Sequence, residues 1–341
     1  MAAPLTIGQA ADAVDVSIQK YFLKGTTEKE EYFRKMYNVT TGVSDYYMKD
    51  SGLSGLGDAA RVVESASIVA EVPVQTFDQT YTQILYGKLM SFSWHMWKFG
   101  IKKRDVTRVV NELKSANYSK REKLLARKYD AAYLTTYTES DDAGNYSITT
   151  SGGDSAAMAT ASHTREDGGT AWSNIVSDGT TSNIKLDYAG LKALWRVAAL
   201  LVNPKGQIFD SSPNRIVVKK GSTPSFKAKE ILGAIKNNRI PEEFSNDGSA
   251  VPMFELVENP FLFGTGDDTS TTNLSDATNW HSFDTSQMTD EYGAQYFESQ
   301  PIMLDEQNIV YKTKEIQYTA TSAFAYGHND ARGGFTSDGS N

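Results

Sequence analysis

"YGKLMSFSWHMWKFG", residues 86–100, decides how the rest of the chain is read. Met90, Phe92, Trp94 and Met96 fall on one face of a two-residue repeat, and Ser91, Ser93, His95 and Trp97 on the other, which predicts a β-strand. Two of the chain's five tryptophans lie in this stretch, and Gly100 ends it. The preceding run "RVVESASIVAEVPVQTF", residues 61–77, also reads as strand. Two ribbons in succession predict a hairpin, and at about 3.3 Å per residue such ribbons reach ~60 Å, longer than a single-domain sheet needs. Such a hairpin projects. No neighbouring segment looks able to cover the stripe Met90, Phe92, Trp94 and Met96. An uncovered ribbon edge and apolar stripe are places where another chain binds.

Composition narrows the function classes. The chain has 341 residues, 40% hydrophobic and 22% charged, enough for a large core in one or two domains. Its 34 basic and 42 acidic residues give a net charge of −8, with no basic block of the kind that marks a sequence-reading nucleic-acid arm. The absence of cysteine excludes disulfides, thiolate metal sites and thiol catalysis. The start, "MAAPLTIGQAADAVDVSIQKYF", has no basic n-region followed by an apolar core, and no run approaches the ~20 apolar residues of a membrane helix. A cytosolic site of synthesis is expected, with no membrane partner.

Residues 1–57, with weak helical pattern and "SGLSGLG", read as an arm outside the core. After the ribbons, Val106, Val109, Val110 and Leu113 keep the spacing of a buried helical stripe. A second helix is predicted from "SKRE", where Ser119 and Glu122 have capping-box spacing, and runs to residue 138 with Leu125, Tyr129 and Ala132 inward. Residues 139–185 read as loops with brief strands. "LDYAGLKALWRVAALLVNPKG" then predicts a helix with Leu191, Leu194, Trp195, Ala198 and Leu201 on its buried face, ended by Asn203 to Gly206. "RIVVKK" at 215–220 is a strand, and Thr223 with Pro224 opens another helix. "NWHSF" and the run from Gln307 to Asp330 complete the strands.

Several residues invite a catalytic or binding reading, and each has a simpler one. His163 and Asp167 in "ASHTREDGG" stand among serines, but no Gly-x-Ser-x-Gly elbow is present. The four histidines, His95, His163, His281 and His328, lack metal-ligand spacing. Asp267 and Asp268 lack the ligand order of a calcium loop, and "GLSGLG" is not a dinucleotide fingerprint. The run Lys98, Lys102, Lys103, Arg104 and Arg108 either faces nucleic acid or is a solvated helix start. No catalytic residue, cofactor or metal is expected.

The succession "ASHTREDGGTAWSN", "LDYAGLKALW", "RIVVKKGSTPSFKAKEIL", "NWHSF" and "VYKTKEIQYTATSAFAYGHNDARGGFTSDGS" resembles the major capsid proteins of tailed bacteriophages, of the Hong Kong 97 fold, and among them the Mu-type head subunits. The likeness runs from about Ala59 to Asn341 and rests on the order of elements, its individual motifs being loose. It implies an α+β fold with an N-terminal arm (1–57), an extended hairpin or E-loop (58–97), a peripheral domain with a long spine helix (98–144 and 261–341) and an axial α/β domain (145–260). It also implies a structural role: copies assemble into the hexamers and pentamers of a phage head around double-stranded DNA, each hairpin lying across the next subunit. The resemblance further implies a virion location after assembly in the bacterial cytoplasm, with scaffolding, portal and decoration proteins as partners. The charged helical extension of members with a built-in scaffold is not seen, so scaffolding is expected to be separate or unnecessary. Lys88 lies in the hairpin, but nothing identifies a partner for a covalent weld. The expected interface residues are Phe92, Trp94, Met96 and Trp97 in the hairpin, Val62 and Ile68 on its other ribbon, and Leu5 and Tyr21 in the arm. Two alternatives stay open: an encapsulin-like nanocompartment shell, told apart by copurifying cargo, and a monomeric β-rich hydrolase or binding module, told apart by a stable monomer with a concave site.

Overall fold

The computed structural model describes the chain except residues 1–29, 54, 55, 60, 63–66, 69, 74, 96–102, 143, 237–253, 263–277, 290, 291, 306, 307 and 341. A 3₁₀ turn, Tyr32–Lys35, leads into β1 (Asn38–Thr41), β2 (Tyr47–Leu53), β3 (Gln75–Thr82) and β4 (Ile84–Phe92). Helix α1 (Lys103–Asp130) is followed by β5 (Thr136–Asp141) and β6 (Gly144–Thr149). Then come α2 (Tyr188–Ala199), β7 (Arg215–Lys219), α3 (Thr223–Lys236), β8 (Glu255–Asn259) and β9 (Trp280–Phe283). The described chain closes with α4 (Thr285–Thr289), β10 (Ala294–Leu304), β11 (Asn308–Val310), β12 (Glu315–His328) and β13 (Gly334–Ser337).

Helix α1 is one element of 28 residues, ~42 Å long at about 1.5 Å per residue. The predicted break before Ser119 does not occur, because no Gly or Pro interrupts the run and Asn117 donates from Nδ2 to the Leu113 carbonyl at 3.2 Å. Glu122 is turned into the protein instead of back to a cap. The helix ends at Asp130, short of the predicted 138, and the chain passes through a turn into β5.

Two sheets flank this spine. The larger has the order β1-β10-β12-β11, and β4 pairs with β12 along Ile84 to Phe92. Its inner face packs Phe92, Ile316, Tyr318 and Ala320 on Val110 and Leu113 of α1. The smaller sheet, β13-β9-β7-β8, is buried on both sides, so β7 reads as a continuous apolar run. Val217 faces the α1 core with Phe283, whereas Ile216 and Val218 face Leu191, Leu194 and Ala198 of α2. α2 is capped by Asp187, which accepts from the Gly190 N–H at 2.6 Å, and it ends at Ala199, before the expected stop at Asn203 to Gly206. α3 is capped one residue before the expected Thr223: Ser222 Oγ accepts from the Ser225 N–H at 3.3 Å.

Three further expectations are corrected. The segment before residue 57 is not all arm: Phe33, Met36 and Tyr37 are core residues, and β1 pairs in parallel with β10. The run from Gln307 to Asp330 is not one ribbon but a hairpin, β11 turning through Tyr311–Lys314 into β12, with Lys314 at φ 55°. The segment 261–341 does not stay in one sheet, since β9 and β13 belong with β7 and β8.

Candidate assembly surfaces

A two-stranded ribbon is present in this part of the chain, but its strands are not those the alternation picked out. β3 pairs with β2, upstream of it, and not with β4. The described residues between 56 and 73 form no strand. At Gln83 the chain leaves the ribbon, its N–H donating to the Tyr46 carbonyl at 3.1 Å, and enters the large sheet as β4. The base of the ribbon is fixed by close packing. Asn329 donates from Nδ2 to the Phe77 carbonyl at 2.9 Å, and Tyr81 lies with its ring 5.2 Å from Phe297. Gly327 is required there, because a Cβ would stand 2.2 Å from Tyr81 Cε1.

Beyond the base, the connecting segment carries apolar side chains into solvent. Val62 and Ile68 are exposed there, Ile68 to 81%, and so are Leu56 and Val72. Polar contacts tie the segment to the 203–207 turn: Glu71 accepts from Lys205 Nζ at 2.9 Å and from the Gly57 N–H at 2.8 Å, and Asp58 accepts from Gln207 Nε2 at 2.6 Å.

The face of β4 assigned to a neighbouring copy is covered by the chain itself. Phe92 is 5% exposed and Met90 is half-buried, both against Val109, Val110 and Leu113 of α1. Sequence proximity misled here, since the cover comes from the helix after the undescribed 96–102 stretch and from β12. Trp94 is half-buried, with its ring edge-on to His95 at 5.6 Å. Met96, Trp97, Leu5 and Tyr21 lie outside the described residues.

The opposite face of β4 is the open one. Leu85 is 64% exposed and Leu89 53%, opposite Ala323 and Thr319 of β12, with Met303 of β10 continuing the face opposite Thr321. Among the described residues β4 has β12 as its one strand partner, so it is an edge strand. The "QILYGKLM" alternation carried this face, but Phe92 and Trp94 drew the reading to the other. Tyr311, 84% exposed at the β11–β12 turn with Lys314 stacked 4.1 Å over its ring, and Leu200 and Ile208 after α2 are further open apolar sites the sequence reading missed.

The chain entering from the N-terminus is seated along one stripe of α1. Tyr118 bonds the Glu30 carbonyl, Tyr37 donates to the Leu125 carbonyl at 2.8 Å, and Tyr129 bonds the Met36 carbonyl. Arg121 reaches Glu31 and, at 3.2 Å, Glu298 of β10, with its guanidinium 4.7 Å over the Phe33 ring. Glu122, 1% exposed, lies beside it. Burial raises its carboxyl to about 8.

His163 does not form a nucleophile's dyad with Asp167. Its Nδ1 meets Asp154 at 2.8 Å and its Nε2 meets Asn174 at 3.2 Å, so both nitrogens are taken, while its ring stacks 4.1 Å from Trp172. Asp167 pairs with Arg165 instead. This cluster lines a cavity of about 120 Å³ between the ribbon base and the turn at Asn329 to Arg332. Among the described residues no group of three His, Asp or Glu side chains could hold a metal ion. No described helix is long and apolar enough to cross a membrane.

No family model matches the sequence, and no curated protein does. Solved structures do match. A chain of Mycobacterium phage Adephagia is 12% identical, with a TM-score of 0.50 and 98% of each chain covered. A chain of the capsid structure of the cyanophage P-SCSP1u is 10% identical, with a TM-score of 0.50 over 92% of this chain and 89% of that one. At such identities the likeness concerns the fold, which is the α+β Hong Kong 97-like fold expected from the order of elements.

Proposed function

We propose that this chain is the major subunit of a phage head, a structural protein without catalytic activity that assembles with copies of itself into hexamers and pentamers. The observation that carries the reading is the ribbon β2–β3, which extends from a fold shared with phage structures and holds Leu56, Val62, Ile68 and Val72 in water. Four exposed apolar side chains on one thin segment are stabilising only when a neighbour covers them. In this reading the E-loop spans residues 47–82 instead of 58–97, and the arm is the stretch before Glu30. The peripheral part holds α1 and the large sheet, and the axial part holds α2, α3 and the small sheet. The open face at Leu85 and Leu89 and the turn at Tyr311 are the other subunit contacts. Stable contacts of this kind bury more than ~1,000 Å² each. Scaffolding, portal and decoration proteins and packaged DNA are the accompanying partners, and the finished location is the virion, after assembly in the host cytoplasm.

The experiment is to replace residues 56–73 by a short Gly-Ser turn closing β2 on β3. The chain should keep its circular dichroism and melting transition yet form no shells by negative-stain microscopy, alone or with its scaffold, under conditions where the unaltered chain forms them. Shells from the shortened chain, or none from the unaltered chain with its scaffold, would overturn the proposal.

A further inference from the structure

Around Arg121 two carboxylates, Glu31 and Glu298, converge on one guanidinium, and a third carboxyl, that of Glu122, lies beside them. Arg121 is engaged by Glu31 and by Glu298, and Glu298 also accepts from Tyr296 Oη at 3.2 Å. Glu122, the next residue on α1, faces the 3₁₀ turn with neither carboxyl oxygen in a hydrogen bond. The N–H groups of Tyr32 and Phe33 lie toward its carboxyl and, with Arg121, favour its charged form, but burial outweighs them. The other ionisable groups around this site are Tyr118 on α1, Tyr37 after the turn, and Glu258 of β8 near Tyr32. Arg121 is the one cation that bears on Glu122 in this set, and it is already shared. An ionised Glu122 would thus be a buried charge with no cation of its own, among like charges.

We propose that Glu122 is a proton-held latch for the root of the N-terminal arm: protonated, it lets residues 30–37 seat on α1, and ionised, it loosens them. The seat is local. It comprises the contacts of Tyr118, Arg121, Leu125 and Tyr129 with the Glu30–Tyr37 segment, so what the proton controls is how firmly the chain that leads out of residues 1–29 is held. The latch is a property of the single chain and stands apart from the shell reading.

The sign follows from linkage. A carboxyl whose seated form holds its proton to about 8, against 4.5 when released, binds more protons seated than released between those values. Opening therefore grows as pH rises, by up to about tenfold per pH unit between 4.5 and 8, and levels off above. Glu31 has the opposite sign, since Arg34 and Arg121 hold its carboxyl below the usual range, but its effect lies below pH 4.5. His281, whose ring is 5.4 Å from Tyr129, is kept neutral by burial and also acts against opening as pH rises.

Hydrogen exchange of residues 33–37 in the full chain, corrected for intrinsic rates, tests this at pH 5.5 and 7.5. The unaltered chain should open at least about tenfold more at pH 7.5, and Glu122→Gln, which carries no proton to lose, should remove that increase. Because Glu122→Gln alters a core position, Glu31→Gln gives a second reading. Relieving one like charge and freeing Arg121 should move the midpoint of opening to lower pH. An increase that persists in Glu122→Gln, an unaltered chain with no increase, or an unmoved midpoint in Glu31→Gln overturns the latch.

Discussion

Arg121 and Glu298 stand 177 positions apart in sequence and meet as a buried ion pair at 3.2 Å, joining α1 to β10. Neither side chain reaches bulk water, so the pair contributes through the cost of breaking it more than through the strength of making it. Arg121→Met should lower unfolding stability by about 3–5 kcal/mol, because Glu298 then lies buried without a cation. The double variant Arg121→Met with Glu298→Leu should recover part of that loss. Urea unfolding of the four chains in the cycle measures the coupling, and additive single effects would show that the pair is not coupled.

The two faces of β4 should behave as different materials. Phe92→Ala removes a ring packed on Val110 and Leu113 and should cost about 3–5 kcal/mol of folding stability. Leu89→Lys, on the open face, should leave folding within about 0.5 kcal/mol of the unaltered chain. If that face is a subunit contact, the same lysine should lower shell yield sharply in light scattering and microscopy. Normal shells from Leu89→Lys would remove the face from the assembly contacts.

What the sequence made legible follows the range of each interaction. The helical stripe of α2, the strand Arg215–Lys219 and the Trp280–Phe283 strand depend on neighbours a few residues away, and they stand where the sequence places them. Partner choice was not legible. The alternation in 84–92 is the same whether β4 pairs with β3 or, as it does, with β12 more than two hundred residues later. The cover over Phe92 comes from α1 and β12 and leaves no mark within "LMSFSWHMW". The continuity of α1 was masked by Ser119 and Glu122, which have capping-box spacing by composition alone, while the buried role of Glu122 needs residues 30–37 to be visible. The exposed Val62 and Ile68 belong to the predicted projection, but the strand expected to carry them is absent among the described residues.

The ribbon base offers a direct test of its fixation. A Cβ on Gly153 would stand 2.0 Å from Asn329 Oδ1 and 2.7 Å from Phe77 Cβ, so Gly153→Ala must push Asn329 away from the ribbon. Asn329 would then lose its bond to the Phe77 carbonyl, and overpacking of this kind costs about 1–3 kcal/mol. Amides of β3 should exchange faster while those of β7 and β9, in the other sheet, keep their protection. Loss of protection in both sheets would mean that the ribbon base is an inseparable part of the core.

Lys128 gives a pH dependence opposite in sign to that of Glu122. Its ammonium is fully buried on α1 with one weak acceptor, the Thr150 carbonyl at 3.4 Å, and burial lowers its pKa to about 7 from 10.5. The unfolded chain holds this proton up to pH 10.5 and the folded chain only to about 7, so folding is favoured as pH rises through that window. At and below pH 7 the full cost of releasing or burying the charge is present. Lys128→Met keeps the aliphatic stem and removes the proton, so it should unfold at higher urea than the unaltered chain at pH 7. Its advantage should shrink steadily toward pH 9.5, because the proton that folding must release is given up more easily as pH rises. Unfolding midpoints of the two chains at pH 7, 8 and 9.5 measure this directly. A gap between them that does not change with pH would show that packing, and not the buried charge, sets the behaviour of this position.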